Sequence, residues 1–214
     1  MKITKLQLGQ FDQRERAHFI NQLTGFKPAM LVGTKSREGN ENLALFSQVM
    51  HIGANPALIG ILSRPDTVPR DTLTNIKQTK AFSLNQVTRS FYPQAHQTAA
   101  RYAEHQSEFA ATGLTPLYDG DFIAPMVKES PLRLCLSLEE IIPIKANGTT
   151  LVIGQIESID IPEEALSNDK TVNYDLLDTV VVTGLDTYYH PTKIARLSYA
   201  KPDKPITTYE DSDA

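Results

Sequence analysis

At 214 residues, with 41% hydrophobic and 21% charged side chains, the chain is long enough for one substantial core and has the composition of an ordinary soluble globular protein. A formal net charge of −4 with no basic cluster argues against a nucleic-acid surface, which would need such a cluster to displace phosphate counterions. The single cysteine, Cys135, excludes an internal disulfide or a cysteine metal cluster within one subunit, and the five histidines have no metal-ligand spacing.

Residues 1–27 mix charge with a few apolar positions, and Phe11, Ala17, Phe19, Ile20 and Leu23 predict a short helix from near Asp12 that packs onto one end of the body. No signal-peptide or bilayer-spanning run is present, so a cytoplasmic protein without a membrane partner is expected. Residues 28–34 read as a buried strand, followed by turn residues and then by the richest stretch of the chain, 40–75. Here Asn42 and Ser47 flank Leu43, Ala44 and Leu45. An apolar run from Pro56 delivers Ser63 and Arg64, and R-D-T-L-T-N-I begins at Arg70.

Asp71 or Thr72 can cap a short helix whose apolar Leu73 and Ile76 lie three apart. Unpaired N–H groups at such a helix start favour an anion, and Ser63, Arg64, Arg70 and Thr72 would complete a phosphate site. Small residues in 42–47 would let a flat ring meet backbone amides. The bland alternatives are solvated charges for Arg64 and Arg70, a plain cap for Thr72, and ordinary turn chemistry for Asn42 and Ser47.

Further along, 81–87 is a predicted strand whose end, Asn85 to Arg89, could reach the ligand. Residues 93–111 lack internal Pro and Gly and predict one helix ended by Gly113, more readily a solvated cover for one end of the body than a substrate lid. Cys135 sits in an alternating strand pattern and reads as core. Strands are expected at 132–138, 141–145 and 149–160, with Asn147-Gly148 as a hairpin turn. Residues 163–166 predict a turn or helix, 178–183 fit strand or helix, Tyr188, Tyr189, His190 and Arg196 could approach a ligand or equally serve dimer packing or the surface, and 201–214 reads as a frayed tail.

N-L-A-L-F-S from Asn42, a strand ending S-R-P at Pro65, R-D-T-L-T-N-I from Arg70 and F-S-L-N from Phe82 together resemble the flavin reductase-like family of FMN-binding split barrels. The likeness continues through T-G-L-T-P from Thr112, A-P-M-V-K-E-S-P-L-R-L-C from Ala124 and L-V-I-G-Q-I from Leu151, covering most of residues 28–160. Leu45 departs from the family's usual proline, and Leu134 from its frequent glutamate.

The resemblance implies a mainly β, antiparallel split β-barrel with accessory helices. It implies one domain over 1–214, with its core at about 28–200. FMN is then held by Asn42, Leu43, Ala44, Leu45, Ser47, Ser63, Arg64, Arg70, Asp71 and Thr72. NADH or NADPH passes a hydride to flavin N5, a homodimer carries the flavin near its interface, and the enzyme either releases reduced flavin to an acceptor protein or keeps FMN and reduces another acceptor, a choice the resemblance leaves open. An FMN-binding electron carrier without nicotinamide activity is the alternative. A pyridoxamine-phosphate-oxidase-like enzyme would need a second basic pocket, which the sequence lacks.

Overall fold

The computed structural model describes residues 1–65, 71–103 and 106–209, so Arg70 and His105 lie outside the described residues. In chain order the elements are α1 (Lys5–Gln10), α2 (Gln13–Gln22), β1 (Lys27–Pro28), β2 (Met30–Lys35), β3 (Glu41–Phe46), β4 (Val49–Ala54), β5 (Ala57–Ser63), α3 (Asp71–Thr79) and β6 (Ala81–Gln86). Then come α4 (Tyr92–Gln97), α5 (Glu108–Thr112), β7 (Pro116–Leu117), β8 (Met126–Val127), β9 (Arg133–Ile144), β10 (Thr149–Asp160), a 3₁₀ turn at Glu163–Ala165, and α6 (Tyr174–Leu177). β11 (Val181–Thr183), β12 (Thr187–Tyr189), β13 (Arg196–Leu197) and β14 (Thr208–Tyr209) complete the chain.

Seven strands form one antiparallel sheet in the order β3-β2-β6-β9-β10-β5-β4. Its two edges, β3 and β4, are joined by Ser47 and Gln48 alone. Three Cα steps reach at most roughly 11 Å, whereas the edges of a flat seven-stranded sheet would stand about 29 Å apart. The sheet therefore curls until its edges meet at this corner, which gives the antiparallel split barrel.

Alternation along the strands sorts side chains into two cores. Val32, Ile61, Phe82, Leu84, Leu134, Leu136 and Val152 line the interior, capped by Leu73 and Ile76 of α3. Leu31, Leu43, Val87, Phe91, Phe109, Val127 and Val182 form a second cluster outside, under α4 and α5. Leu134, where the family often has glutamate, is simply part of the interior packing.

Two glycines are required by close approach. A Cβ on Gly154 would stand 2.5 Å from the Phe82 ring, and one on Gly33 would stand 2.0 Å from the Pro125 carbonyl oxygen. That carbonyl accepts from Ser83 Oγ at 2.5 Å, and Asn85 Oδ1 accepts from the Val127 N–H at 2.9 Å. The F-S-L-N and A-P-M-V segments are thus two halves of one joint. Asn85 is fully buried and also donates to the Leu31 carbonyl, while Arg89 pairs with Asp178.

Several expectations need correction. The helix expected over 93–111 is instead two short helices, α4 and α5. Thr98 folds its hydroxyl back onto the Ala95 carbonyl at 2.8 Å, Ser107 caps α5, and the buried Ala95 and Phe109 fix both helices against the outer cluster. They lie over β3 and do not cover a barrel end. The predicted strands at 132–138 and 141–145 run together as β9.

Asp12 caps α2 as expected, accepting from Arg14 N–H and Glu15 N–H at 2.7 and 2.9 Å, but α2 buries none of its residues. Residues 201–209 are not frayed: β14 pairs back on β13, and Arg196 lies over the Tyr209 ring and pairs with Asp169. The turn at Asn147-Gly148 forms with Gly148 at φ 76°. Cys135 is a core residue, 1% exposed, and burial pushes its thiol up, away from the reactive thiolate. Among the described residues no helix is long and apolar enough to cross a membrane.

Candidate functional site

The site is built where the start of α3 meets β3. Thr34 and Asn42 face each other across β2 and β3, and Asn42 is buried. Its amide nitrogen donates to Thr34 Oγ1 at 3.2 Å and to Thr72 Oγ1 at 3.0 Å. Asn75, three residues on from Thr72 and so on the same helix face, donates to Thr34 Oγ1 at 3.2 Å. A buried polar joint therefore ties the edge strand to the helix. Because Thr72 Oγ1 accepts from Asn42, its own proton remains to be donated elsewhere. Thr72 is consequently turned toward β3 and does not serve as a plain helix cap.

The corner makes a second pairing. Val49 faces Ile61, and Leu62 N–H donates to the Gln48 carbonyl at 2.9 Å, a register that sets Ser47 opposite Ser63. Ser63 is buried, with its hydroxyl directed at the Arg64 carbonyl, and Arg64 itself is exposed at the strand's end. Asp71 is exposed in the first turn of α3. Of the predicted phosphate residues, Asn42 and Thr72 meet at the α3–β3 joint, and Ser47 and Ser63 lie at the corner.

Leu43 and Leu45 pack their side chains on the outer cluster, while half-buried Ala44 shares the inner face with Asn42. The amide expected to be available at Leu43 is already used: Leu43 N–H donates to Glu108 Oε2 at 2.9 Å. Since N–H directions alternate along an edge strand, Leu45 N–H also points away from β2. Leucine in place of the family's proline thus adds an outward donor that proline would lack.

Glu108 was missed by sequence reasoning, as were the roles of Thr34 and Asn75; only the position of Glu108 in the first turn of α5 hints at a fixed carboxylate. Burial pushes the Glu108 carboxyl above the usual carboxylate range, against the Leu43 N–H that pulls it down, and the Asp71 charge pushes it further up. A raised folded-state pKa means that the stability linked to this group is fully present below its unfolded value and is lost as pH rises through its folded one. Glu108→Gln keeps an acceptor for Leu43 without the charge. In urea unfolding, its stability relative to the parent should therefore grow as pH rises through and above the ordinary carboxylate range. Parallel curves across that range would remove the assignment.

The aromatic C-terminal residues are occupied away from the α3–β3 joint. Tyr188 lies 5.3 Å from the Tyr92 ring and hydrogen bonds His96 Nδ1 at 3.0 Å, Tyr189 lies 4.9 Å from Phe26, and His190 pairs with Asp178. What the α3–β3 joint and the corner offer chemically is donors to an elongated anionic ligand: the hydroxyls of Thr72, Ser47 and Ser63, the outward amide of Leu45 and the Arg64 guanidinium. Among the described residues they offer no paired acid and base.

A family model described as flavin reductase like domain matches residues 26–190. A solved structure from Shewanella frigidimarina, provisionally described as a flavin reductase with split barrel domain, is 48% identical and superposes with a TM-score of 0.90, covering 94% of this chain and all of its own. Nitrilotriacetate monooxygenase component B from Bacillus cereus is 21% identical with a TM-score of 0.82, covering 92% of this chain and 98% of that one. Flavoredoxin of Desulfovibrio vulgaris is 24% identical with a TM-score of 0.69, over 84% and 92% of the two chains. The last two likenesses concern the fold alone.

Proposed function

The chain belongs to the flavin reductase-like family, and from that premise we propose that it is an FMN-binding oxidoreductase that takes its electrons from NADH or NADPH. The observation that carries the reading is the Asn42–Thr72 joint, which sets the Thr72 hydroxyl in the first turn of α3 against β3. The donor set fits FMN: hydroxyls and guanidinium groups suit a phosphate, and small Ala44 with the outward Leu45 amide suits the edge of a flat ring. Asp71 and Glu108 are the unfavourable neighbours of a phosphate, and Arg64 with Arg70 offsets them.

In this reading Thr72, Ser63, Arg64 and Arg70 hold the phosphate. The segment Asn42 to Ser47 supports the ring. Bound there, the flavin supplies the atom that accepts hydride from the nicotinamide, and the protein's part is to hold the two rings at reacting distance. Two copies of the chain work together with the flavin near their boundary, and a separate acceptor protein receives the electrons.

The test is the visible spectrum of the purified protein with FMN, followed by anaerobic addition of NADH and then NADPH. Bound-flavin absorbance that bleaches with either nucleotide is the expected result and identifies the donor. Bound flavin that stays oxidised with both would replace the reductase by an electron carrier, and no bound flavin would overturn the reading.

A further inference from the structure

An edge strand turns half of its backbone amides and carbonyls away from its sheet, and each of those groups needs a partner. On β3 the Leu43 N–H is taken by Glu108 Oε2 at 2.9 Å, and this contact fixes the alternation. Asn42, Ala44 and Phe46 therefore direct their main-chain groups at β2, and Leu43 and Leu45 direct theirs outward. At such a residue both groups turn the same way, so Leu45 presents an N–H donor beside a C=O acceptor.

The position of Leu45 is fixed by what surrounds it. Its side chain packs on the outer cluster, Glu108 holds the strand two residues before it, and the corner begins at Ser47, two residues after it. The residue is half-buried, and among the described residues nothing accepts from its N–H. A donor withdrawn from water in this way costs free energy that a bound acceptor would recover.

We propose that Leu45 sets the reduction potential of the bound flavin, its N–H and C=O meeting the imide edge of the ring. The inference rests on the proposed function, in which FMN is the ligand. A phosphate could use the Leu45 N–H but would be repelled by the carbonyl beside it. A cyclic imide, which alternates carbonyl, N–H and carbonyl, is the complement of the pair. Reduction by hydride adds two electrons and one proton, so the ring gains one negative charge, carried on the pyrimidine half that holds the imide. Hydrogen bonds to a charged acceptor are roughly twice as strong as those to a neutral one. The Leu45 N–H therefore holds the reduced ring more tightly than the oxidised ring and raises the potential.

The experiment is a spectroscopic redox titration of the FMN-loaded protein against a reference dye, with the dissociation constant of oxidised FMN measured alongside. Leu45→Pro removes the N–H, and an outward edge position is where a strand tolerates proline, because no ladder hydrogen bond is lost. The variant should favour oxidised over reduced FMN about tenfold more than the parent does, a fall of about 30 mV for a two-electron couple. Leu45→Ala keeps the amide and should leave the potential at the parent's value. If proline disturbs the strand, replacing Leu45 by its α-hydroxy analogue, which exchanges the N–H for an oxygen and keeps the side chain, makes the same comparison. An unchanged potential without the amide, or an equal fall in Leu45→Ala, would overturn the inference and leave FMN binding standing. A parent protein that binds no FMN would overturn the proposed function and the inference with it.

Discussion

Replacing Arg64 and Arg70 together by alanine should weaken FMN binding by about 100-fold, and Arg64→Ala alone by about tenfold, because a charge-assisted hydrogen bond contributes about 1.5–3 kcal/mol. Arg64 is exposed at the end of β5, so its removal should leave the melting temperature of the ligand-free protein almost unchanged. Riboflavin supplies the control, since it carries the ring without the phosphate. Fluorescence titration should show the double variant binding riboflavin as the parent does while losing FMN. An equal loss for both ligands would mean that the arginines support the ring or the fold, and no loss for FMN would remove them from the site. The difference should also shrink as salt rises, as it does for any partly exposed ion pair.

The segments that build this site were legible in the sequence because their chemistry is local. A short apolar run marked β2, alternation marked β6, the three-residue spacing of Leu73 and Ile76 marked α3, and Asn147-Gly148 marked the hairpin that leads into β10. Gly113 was read as a helix end, and it stands at φ 74° directly after α5. The topology was not legible, because nothing in Ser47-Gln48 announces that these two residues join opposite edges of a seven-stranded sheet. Propensity alone also failed over 93–111, where the anchors Ala95 and Phe109 decide which turns are helical.

The candidate site divides in the same way. Asn42 and Thr72 could be singled out by type and order, but their hydrogen bond joins residues thirty apart, and Thr34 and Glu108 enter only through tertiary contact. Leu43 shows how one residue can be correctly placed in a segment and still be unavailable. Its side chain is core and its amide is held by Glu108. The resemblance named the segment without distinguishing its inward side chains from its outward amides.

Replacing Asn42 by leucine should have the largest effect on the fold among single changes in the site. The substitution removes the donor shared by Thr34 and Thr72, whose hydroxyls then lie buried with fewer partners. Each orphaned group costs about 1–3 kcal/mol, so a total of about 2–4 kcal/mol is expected, or on the order of 10 °C in melting temperature for a chain of this size. Thr72→Val separates scaffold from ligand. It keeps the shape of the residue and leaves Asn42 its bond to Thr34, so stability should fall by about 1 kcal/mol. FMN should nevertheless bind about tenfold more weakly, because the proton that Thr72 offers to the phosphate is gone. An Asn42→Leu variant that melts within about 2 °C of the parent would show that β3 and α3 are held by apolar packing alone. If Thr72→Val bound FMN unchanged, the phosphate would have to be placed at the Ser47–Ser63 group, where the Arg64 substitution is then the remaining test.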